Sequence, residues 1–324
     1  MPDDDLLEII EDIHLFIPPP HRVAGWRRSG NIVFLNGPNS LYIIDSGGPS
    51  AKHQLVTVVS TLLSDKKRPV QCIHTHGHID HMAGALELQK NFNATIWATK
   101  EAIPYVESQS AINMDFERES MIVSFSELFT APSWFVRAAM RVALGRTSTL
   151  SCVKSLDKLS EIGETGFRPV ELPGHHFGHV GFHNQDDSIL IVGDLIDPRH
   201  KMKPILTSPS SDYSGMLKSL EAVQQLSPQI LIPGHGEPIL GEDVVKAAVL
   251  QAQETMTVAH DKVIEVLEST QATLPELSNL LQRMGLGPGD VFRRMFIHSI
   301  LSHLVRNGKV SRVQSSRGKT LFTI

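Results

Sequence analysis

Four side chains of metal-binding types lie within six consecutive positions of the chain. His76 and His78 alternate along the run, and Asp80 and His81 complete it. Imidazole nitrogens and carboxylate oxygens are the donors that Zn²⁺ and similar borderline ions prefer. In an extended segment alternate side chains lie on one side, so His76 and His78 can bind one ion while Asp80 and His81 reach a second. The run therefore predicts a site for two metal ions.

Three later segments each place a metal-binding side chain after a short β-rich run. In layered α/β folds, residues at the C-terminal ends of strands meet at the usual place for sites. The three segments should therefore converge on the first run. The residues concerned are His175 after 166–172, Asp194 after 188–192 and His235 after 229–232.

The run at 76–81 matches the His-x-His-x-Asp-His signature of the metallo-β-lactamase superfamily position for position, and the later segments resemble its following motifs. The resemblance implies an α/β fold, the four-layer αββα sandwich. It also implies two divalent metal ions, in the first place Zn²⁺, although Mn²⁺ and iron can occupy the same donors. It assigns the first ion to His76, His78 and His175, the second to Asp80, His81 and His235, and the bridging position to Asp194.

The chemistry that this resemblance implies is hydrolysis by a hydroxide shared between the two ions. Metal binding lowers the pKa of water to around 7, so the nucleophile exists at neutral pH. One ion polarises the scissile carbonyl or phosphoryl oxygen, and the other stabilises the charge on the leaving group. The catalytic carboxylates are then Asp194, as the bridge, and Asp80, which can also transfer a proton.

Residues beside these positions are candidates for supporting roles. Asp45 ends a β-rich run and is either a turn residue that caps the next helix or, as the resemblance implies, a support for the metal site. His74, His176 and His179 are candidates for contacts to the ligands or to substrate, and His176 stands where the family more often has a small hydroxyl residue. The remaining histidines of interest are expected at the surface or in the core: His14, His21, His53, His183, His260, His298 and His303.

The sequence favours a small ester, thioester or lactone as substrate. True β-lactamases of the resembled family usually place Cys or Ser where Asp194 stands and carry an export signal, whereas this chain begins with acidic residues. A phosphodiesterase or endoribonuclease is the alternative, because the C-terminal part is basic. Non-hydrolytic alternatives are an iron-dependent oxidase and a ligand-sensing, DNA-binding regulator.

The elements divide the chain into two predicted parts. Residues 1–242 form the metallo-β-lactamase-like domain, which contains an insertion at about 101–150. Residues 243–324 form a helical, winged-helix-like module, with three helices followed by a hairpin. The predicted helices are 242–269, 274–282 and 291–305, and the hairpin strands are 309–313 and 320–324.

The insertion contains an apolar segment, 131–144, whose only charges are Arg137 and Arg141. It is either a lid over the metal site, with Trp134 and Phe135 contacting the apolar part of the substrate, or a helix packed on the core or on a second subunit. Long insertions in compact domains are often functional, which keeps the lid as a hypothesis.

Charge is unevenly distributed along the chain. Residues 285–324 carry seven Lys or Arg and one acid, a net charge of +6, so the remainder carries −11. The basic part either docks on the acidic part, within one chain or across a homodimer, or binds an anionic partner. Arg294, His298 and Ser302 form a polar line on the third helix, but nine of its fifteen residues are apolar. We therefore expect packing or dimerisation, with nucleic acid not favoured.

Two further features indicate a compartment. Cys72 and Cys152 fit a reducing environment and do not form a metal-binding pair. No signal peptide and no apolar run of about 20 residues is evident, so a cytoplasmic location without a membrane partner is expected.

Overall fold

Two β-sheets form the centre of the molecule. The structure, a computed structural model, describes residues 6–19, 29–64, 67–108, 122–123, 127–128, 134, 150, 152–285, 290–316 and 318–324. The first sheet has seven strands in chain order, antiparallel from the first to the fourth and parallel from the fourth to the seventh. They are β1 (Leu6–Ile10), β2 (Ile13–Phe16), β3 (Ile32–Asn36), β4 (Leu41–Ile44), β5 (Val70–Ile73), β6 (Thr95–Ala98) and β7 (Lys154–Ser155).

The second sheet has five strands from the later part of the chain. They are β8 (Phe167–Glu171), β9 (Val180–Asn184), β10 (Ile189–Gly193), β13 (Ile230–Pro233) and β14 (Ile239–Leu240), and a separate hairpin pairs β11 (Ile196–Asp197) with β12 (Lys203–Pro204). The order across the sheet is β14-β13-β10-β9-β8. Only β10 and β13 run parallel within it, which brings the C-terminal ends of these two strands to the same edge.

The two sheets pack face to face through one hydrophobic cluster. Val33 and Ile73 from the first sheet lie in it together with Phe182 and Ile232 from the second. Because side chains alternate along a strand, each sheet has a second face that points away from the other sheet. Helices cover both of these outer faces, which gives the helix–sheet–sheet–helix order expected from the resemblance. These helices are α1 (Lys52–Leu63) and α3 (Ala85–Phe92) on the first sheet and α5 (Tyr213–Leu226) and α6 (Glu242–Ser269) on the second. Two short helices, α2 (Ile79–Met82) and α4 (Ile103–Glu107), follow β5 and β6 along the chain.

The C-terminal part has the predicted order of three helices and a hairpin. After α6 come α7 (Leu274–Arg283), α8 (Asp290–Arg306) and the strands β15 (Ser311–Gln314) and β16 (Thr320–Thr323). A capping box between Thr273 and Glu276 starts α7. A single hydrophobic cluster continues from the outer face of the second sheet into these helices, so α6 packs on both parts. The boundary at residue 242 stays a prediction.

The described residues of the insertion pack on the C-terminal helices. Val123 and Leu128 are buried in the same cluster as α8. Ile122 N–H donates to Nε2 of His298 at 3.3 Å, and Nη1 of Arg294 donates to the Leu128 carbonyl at 3.1 Å. The polar line of α8 is therefore buried inside the chain.

The remaining predictions about the insertion fall mostly outside the described residues. This holds for 131–144 and for Phe135, whereas Trp134 is described and its side chain is 70% exposed.

Cys72 and Cys152 are both free thiols, the first buried and the second exposed. Within the described ranges, no helix has the length and apolar character needed to cross a bilayer.

Candidate metal centre

Strand ends deliver the predicted ligands to one place. His76 follows β5, Asp194 follows β10 and His235 follows β13. Helix α2 begins directly after His78, so its first turn carries Asp80 and His81 toward the same edge. Asp194 and His235 come close because β10 and β13 are parallel neighbours, and Gly234 N–H donates to the Gly193 carbonyl at 2.6 Å.

The seven predicted ligands form two groups with converging donor atoms. In each group the ligand atoms all lie within 4.8 Å of one another. Nδ1 of His78 lies 3.1 Å from Nε2 of His76 and 2.9 Å from Nε2 of His175. Nε2 of His235 lies 3.4 Å from Oδ2 of Asp80 and 3.3 Å from Nε2 of His81. The groups are His76, His78, His175 and Asp194, and Asp80, His81 and His235.

Asp194 joins the two groups through its two carboxylate oxygens. Oδ2 lies 3.5 Å from Nε2 of His175 in the first group. Oδ1 lies 3.2 Å from Nε2 of His81 and 3.4 Å from Nε2 of His235 in the second. Each oxygen thus faces a different donor set, which is the geometry that a carboxylate shared by two cations requires.

Contacts at the far side of the rings turn three Nε2 atoms toward the centre. Nδ1 of His175 donates to the Ile205 carbonyl at 2.6 Å, and Nδ1 of His81 donates to Oδ2 of Asp45 at 2.8 Å. The Thr75 hydroxyl donates to Asp45, so it accepts the Nδ1 proton of His76 at 2.9 Å. With Nδ1 engaged in this way, Nε2 is the ring nitrogen left to bind a metal ion.

Asp45 has the supporting role and is more than a turn residue. Its Oδ1 accepts from the Thr75 N–H at 2.8 Å, while Oδ2 receives the Thr75 hydroxyl and His81. Burial raises the pKa of Asp45, but the charge on His81, the hydrogen bond from His81 and the nearby His74 outweigh it, and the pKa falls to about 2. Asp45 has φ +60, a conformation that Asp and Asn tolerate better than most residues. It is an ionised acceptor held behind the ligands.

The three neighbouring histidines differ in their contacts. His179 donates from Nδ1 to the Leu172 carbonyl at 2.6 Å, so its Nε2 accepts the Asp194 N–H at 3.1 Å and positions that residue. His74 lies behind Asp45, with 3.8 Å between its Nδ1 and Oδ1. His176 packs edge-on against the His78 ring, with centroids 4.5 Å apart, and against Tyr105 at 4.6 Å.

Protonation and charge in the two groups fit divalent cations. Burial lowers the pKa of His76 and His78 well below the ordinary range and that of His175 to about 3, so all three rings are neutral. Nε2 of His76 and Nε2 of His175 both carry lone pairs toward Nδ1 of His78, which has at most one proton to share between them, whereas a cation among the three nitrogens would be bound by all of them.

The second group holds protons where a metal ion would sit. Burial lowers the pKa of His81, but the carboxylates of Asp194 and Asp45 raise it well above the ordinary value. Burial also lowers the pKa of His235, and Asp194 and Asp80 likewise raise it. A metal ion at these Nε2 atoms would replace the proton, and metal binding would then release protons.

Several groups that support the site are not indicated by any sequence motif. Asn31 donates from Nδ2 to the carbonyls of Pro233 and Gly236, at 2.9 and 2.8 Å, and so holds the loop that carries His235. The Ile205 carbonyl and the Thr75 hydroxyl orient ligands as described above. Among the ligands, Asp80 keeps a side-chain exposure of 20%, so solvent reaches the centre from its side.

Comparison with known proteins assigns the family. Residues 25–235 match the family model described as the Metallo-beta-lactamase superfamily, which is more than half of the chain. The chain belongs to this superfamily. It is a metal-dependent hydrolase whose His and Asp residues form the metal-binding cluster described above.

Relatives with curated names are all hydrolases. The chain is 29% identical to the probable metallo-hydrolase YqjP of Bacillus subtilis, over 64% of this chain and 67% of that protein. It is 25% identical to the acyl-coenzyme A thioesterase MBLAC2 of Homo sapiens, covering 63% and 72% of the two chains. It is 23% identical to the hydroxyacylglutathione hydrolase GloC of Haemophilus influenzae, covering 66% and 88%.

A solved structure extends the likeness to the C-terminal part. A metallo-beta-lactamase family protein from Thermus thermophilus is similar in fold, with a TM-score of 0.71 and 17% identity. The match covers 97% of this chain and 99% of that one. The similarity of fold therefore extends beyond residue 242 into the C-terminal part.

Proposed function

We propose that the chain hydrolyses a thioester, or a related small ester or lactone, at a centre of two divalent ions, with Zn²⁺ as the first candidate and Mn²⁺ or iron as alternatives. The observation that carries the proposal is the position of Asp194, whose two oxygens face the two donor groups. Two bound divalent ions would lower the pKa of coordinated water toward neutrality and polarise the scissile carbonyl.

The residues of the chain supply orientation and proton handling for this reaction. Asp45, Thr75 and the Ile205 carbonyl fix the tautomers of the ligand rings, so the donor set needs little reorganisation. Asp80 is the one carboxylate of the centre with substantial access to solvent. We infer that its free oxygen receives and returns a proton as the leaving group departs.

The thioester is favoured within this substrate class by the relatives. MBLAC2 is named an acyl-coenzyme A thioesterase and GloC a hydroxyacylglutathione hydrolase, and both names describe an acyl group on a thiol carrier. Asp194 stands where true β-lactamases usually have Cys or Ser, which argues against a lactam. A thiolate is also a good leaving group, so catalysis depends mainly on activation of the nucleophile and polarisation of the scissile carbonyl.

A substrate panel tests the proposal. Protein saturated with Zn²⁺ should be assayed on a thioester, an oxygen ester and a lactone with matched acyl chains, and on bis-nitrophenyl phosphate and a cephalosporin. We expect kcat/KM to be largest for the thioester. Turnover of the phosphodiester alone would contradict the proposal and support the phosphodiesterase alternative.

The C-terminal part is proposed to serve packing within the chain, as a winged-helix-like module that does not read DNA. Arg294 and His298 contact the insertion, and Arg293 donates to Ser278 and Gln282 at 3.0 Å each. A recognition helix needs its polar residues free for base edges, whereas these are buried. Tight, sequence-selective duplex binding at physiological salt would contradict this proposal.

A further inference from the structure

The β11–β12 hairpin, residues 196–204, is connected to the metal centre at both ends. It begins two residues after Asp194. It leads directly into Ile205, whose carbonyl accepts the Nδ1 proton of His175. The hairpin therefore has a fixed position relative to ligands of the proposed centre.

The tip of this hairpin is basic. It contains Arg199, His200, Lys201 and Lys203, and its one acid is Asp197. The acid is already engaged: its oxygens accept from Nε and Nη2 of Arg199 at 2.9 Å each and from Nδ1 of His200 at 2.8 Å. Arg199 offsets the charge of Asp197, and the two lysines leave the tip with a net positive charge.

Arg199 is held rigidly and remains accessible. Asp197 binds two of its guanidinium nitrogens, and 34% of its side chain stays exposed. Its Nη1 has no hydrogen-bond partner among the described ranges of the chain. A guanidinium fixed in this way can present its remaining N–H groups to a planar anion with little further loss of side-chain freedom.

The side chain of Arg199 packs on the loop that carries His235. A Cβ built on Gly236, the next residue, would lie 3.0 Å from Cγ and 3.5 Å from Cδ of Arg199. Gly236 also has φ +80, so a side chain is disfavoured there on two grounds. The absence of a side chain at 236 lets the arginine pack on the residue that follows His235.

Two residues of the tip hold a costly backbone conformation. Lys201 has φ +58 and Met202 has φ +54, and neither is a glycine. This conformation is unfavourable for residues other than glycine and persists where the surroundings fix it. The surroundings therefore fix the backbone of the tip between Arg199 and Lys203.

We propose that the basic tip binds an anionic group, a carboxylate or a phosphate, on the carrier part of the substrate. This inference rests on the proposed function and narrows it: the substrate is an acyl thioester whose thiol carrier bears an anion within reach of Arg199. Hydrolysis would cleave the bond between the uncharged acyl carbonyl at the metal centre and the sulfur of the carrier, whose charged group is bound at the tip. Arg199 is a specificity-determining residue, with Lys201 and Lys203 adding long-range attraction.

Binding of carriers that cannot be hydrolysed tests the inference without relying on activity. Zinc-loaded protein should be titrated calorimetrically with S-methylglutathione, which offers carboxylates, with S-methyl coenzyme A, which offers phosphates, and with uncharged S-methyl-N-acetylcysteamine. We expect at least one anionic carrier to bind about tenfold or more tightly than the uncharged one, and added salt to reduce the difference. The two anionic arms distinguish carboxylate from phosphate.

Variants distinguish a loss of anion binding at the tip from a general loss of binding or folding. Arg199→Gln should raise the Kd of the preferred anionic carrier about tenfold or more and leave that of the uncharged carrier unchanged, while Arg199→Lys should recover part of the loss. Arg168→Gln on β8, whose side chain is 70% exposed, serves as the matched control. Zinc content equal to wild type shows that the variant is folded at the centre.

Two results would overturn the inference: equal affinity of the wild type for charged and uncharged carriers, or wild-type affinity in Arg199→Gln. The proposed function can fail separately. If the anionic carrier binds through Arg199 and no thioester is hydrolysed, the reaction is wrong and the binding site stands. If uncharged thioesters are hydrolysed without any preference for charge, the reaction stands and the tip is wrong.

Discussion

Asp45 determines how one ligand of the proposed centre is oriented. It accepts the Nδ1 proton of His81 and both polar hydrogens of Thr75, whose hydroxyl in turn accepts from His76. One carboxylate therefore influences a ring in each donor group. Partners of this kind usually contribute roughly 10–100-fold to metal affinity.

Asp45→Asn should weaken metal binding by about 10–100-fold. Asn tolerates the positive φ at this position and keeps the size of the side chain, so the variant removes mainly the charge and one acceptor. Competition with a chromogenic chelator measures the affinity. Asp12→Asn is the control, because Asp12 has a similar φ of +67 in a turn away from the centre. Equal losses in both variants, or none in Asp45→Asn, would contradict the supporting role.

The ligands could be predicted from sequence, but their supports could not. Four ligands share one short run, and the others follow β-rich runs, so residue type and spacing both indicate them. The support for His175 is a backbone carbonyl 30 positions away, and every residue has such a group. Asn31 holds a loop more than 200 positions away. Only the fold brings these groups together.

At the scale of elements, α8 is bound to the insertion through a neutral histidine. His298 accepts the Ile122 N–H, and burial lowers its pKa to about 4. The ordinary pKa of 6.5 applies in the unfolded chain. Because the folded value is lower, the unfolded state binds more protons between these values. Stability is therefore complete above about pH 6.5 and decreases as the pH falls toward 4.

His298→Gln should remove this part of the pH dependence. Gln keeps an acceptor for the Ile122 N–H but does not titrate. Between pH 7 and pH 5 the wild type should lose about 2 kcal/mol more of its unfolding free energy than the variant. Urea unfolding of both proteins at both pH values measures the unfolding free energies. The titration of the other histidines is common to wild type and variant, so it cancels when the two proteins are compared. His53→Gln is the control, since His53 is exposed on α1. Parallel pH profiles for wild type and His298→Gln would contradict the account.

Elements with a long, regular pattern were predicted closely, whereas short or interrupted ones were missed. The helix predicted at 242–269 is observed at those bounds, as α6. No element was predicted for β9, a five-residue strand that contains a glycine and two polar residues. Helix α5 was also missed, although Asp212 caps it and buried residues recur at Tyr213, Met216, Leu220 and Val223. The spacing of these buried residues is typical of a helix, but the glycine in the first turn lowers the helix propensity of the segment.

At the scale of the whole molecule, the basic C-terminal part and the acidic remainder contact each other directly. Arg306 pairs with Asp212, the residue that caps α5. Glu127 of the insertion accepts from the Thr320 N–H of the hairpin at 2.8 Å. The net charges of +6 and −11 along the sequence therefore meet partly within one chain. This supports packing over nucleic-acid binding, and whether two copies also associate stays a prediction.

The proposed chemistry depends on a pair of metal ions joined by Asp194, and elemental analysis of metal-loaded protein counts these ions. We expect two ions per chain in the wild type. We expect fewer than two in Asp194→Asn, with a fall in kcat/KM of at least about 100-fold, because several kcal/mol of transition-state stabilisation depend on the pair. Asp261→Asn, at an exposed position, should keep both ions. A wild type that holds one ion or none after loading, or an Asp194→Asn variant that keeps two ions and full activity, would contradict the claim.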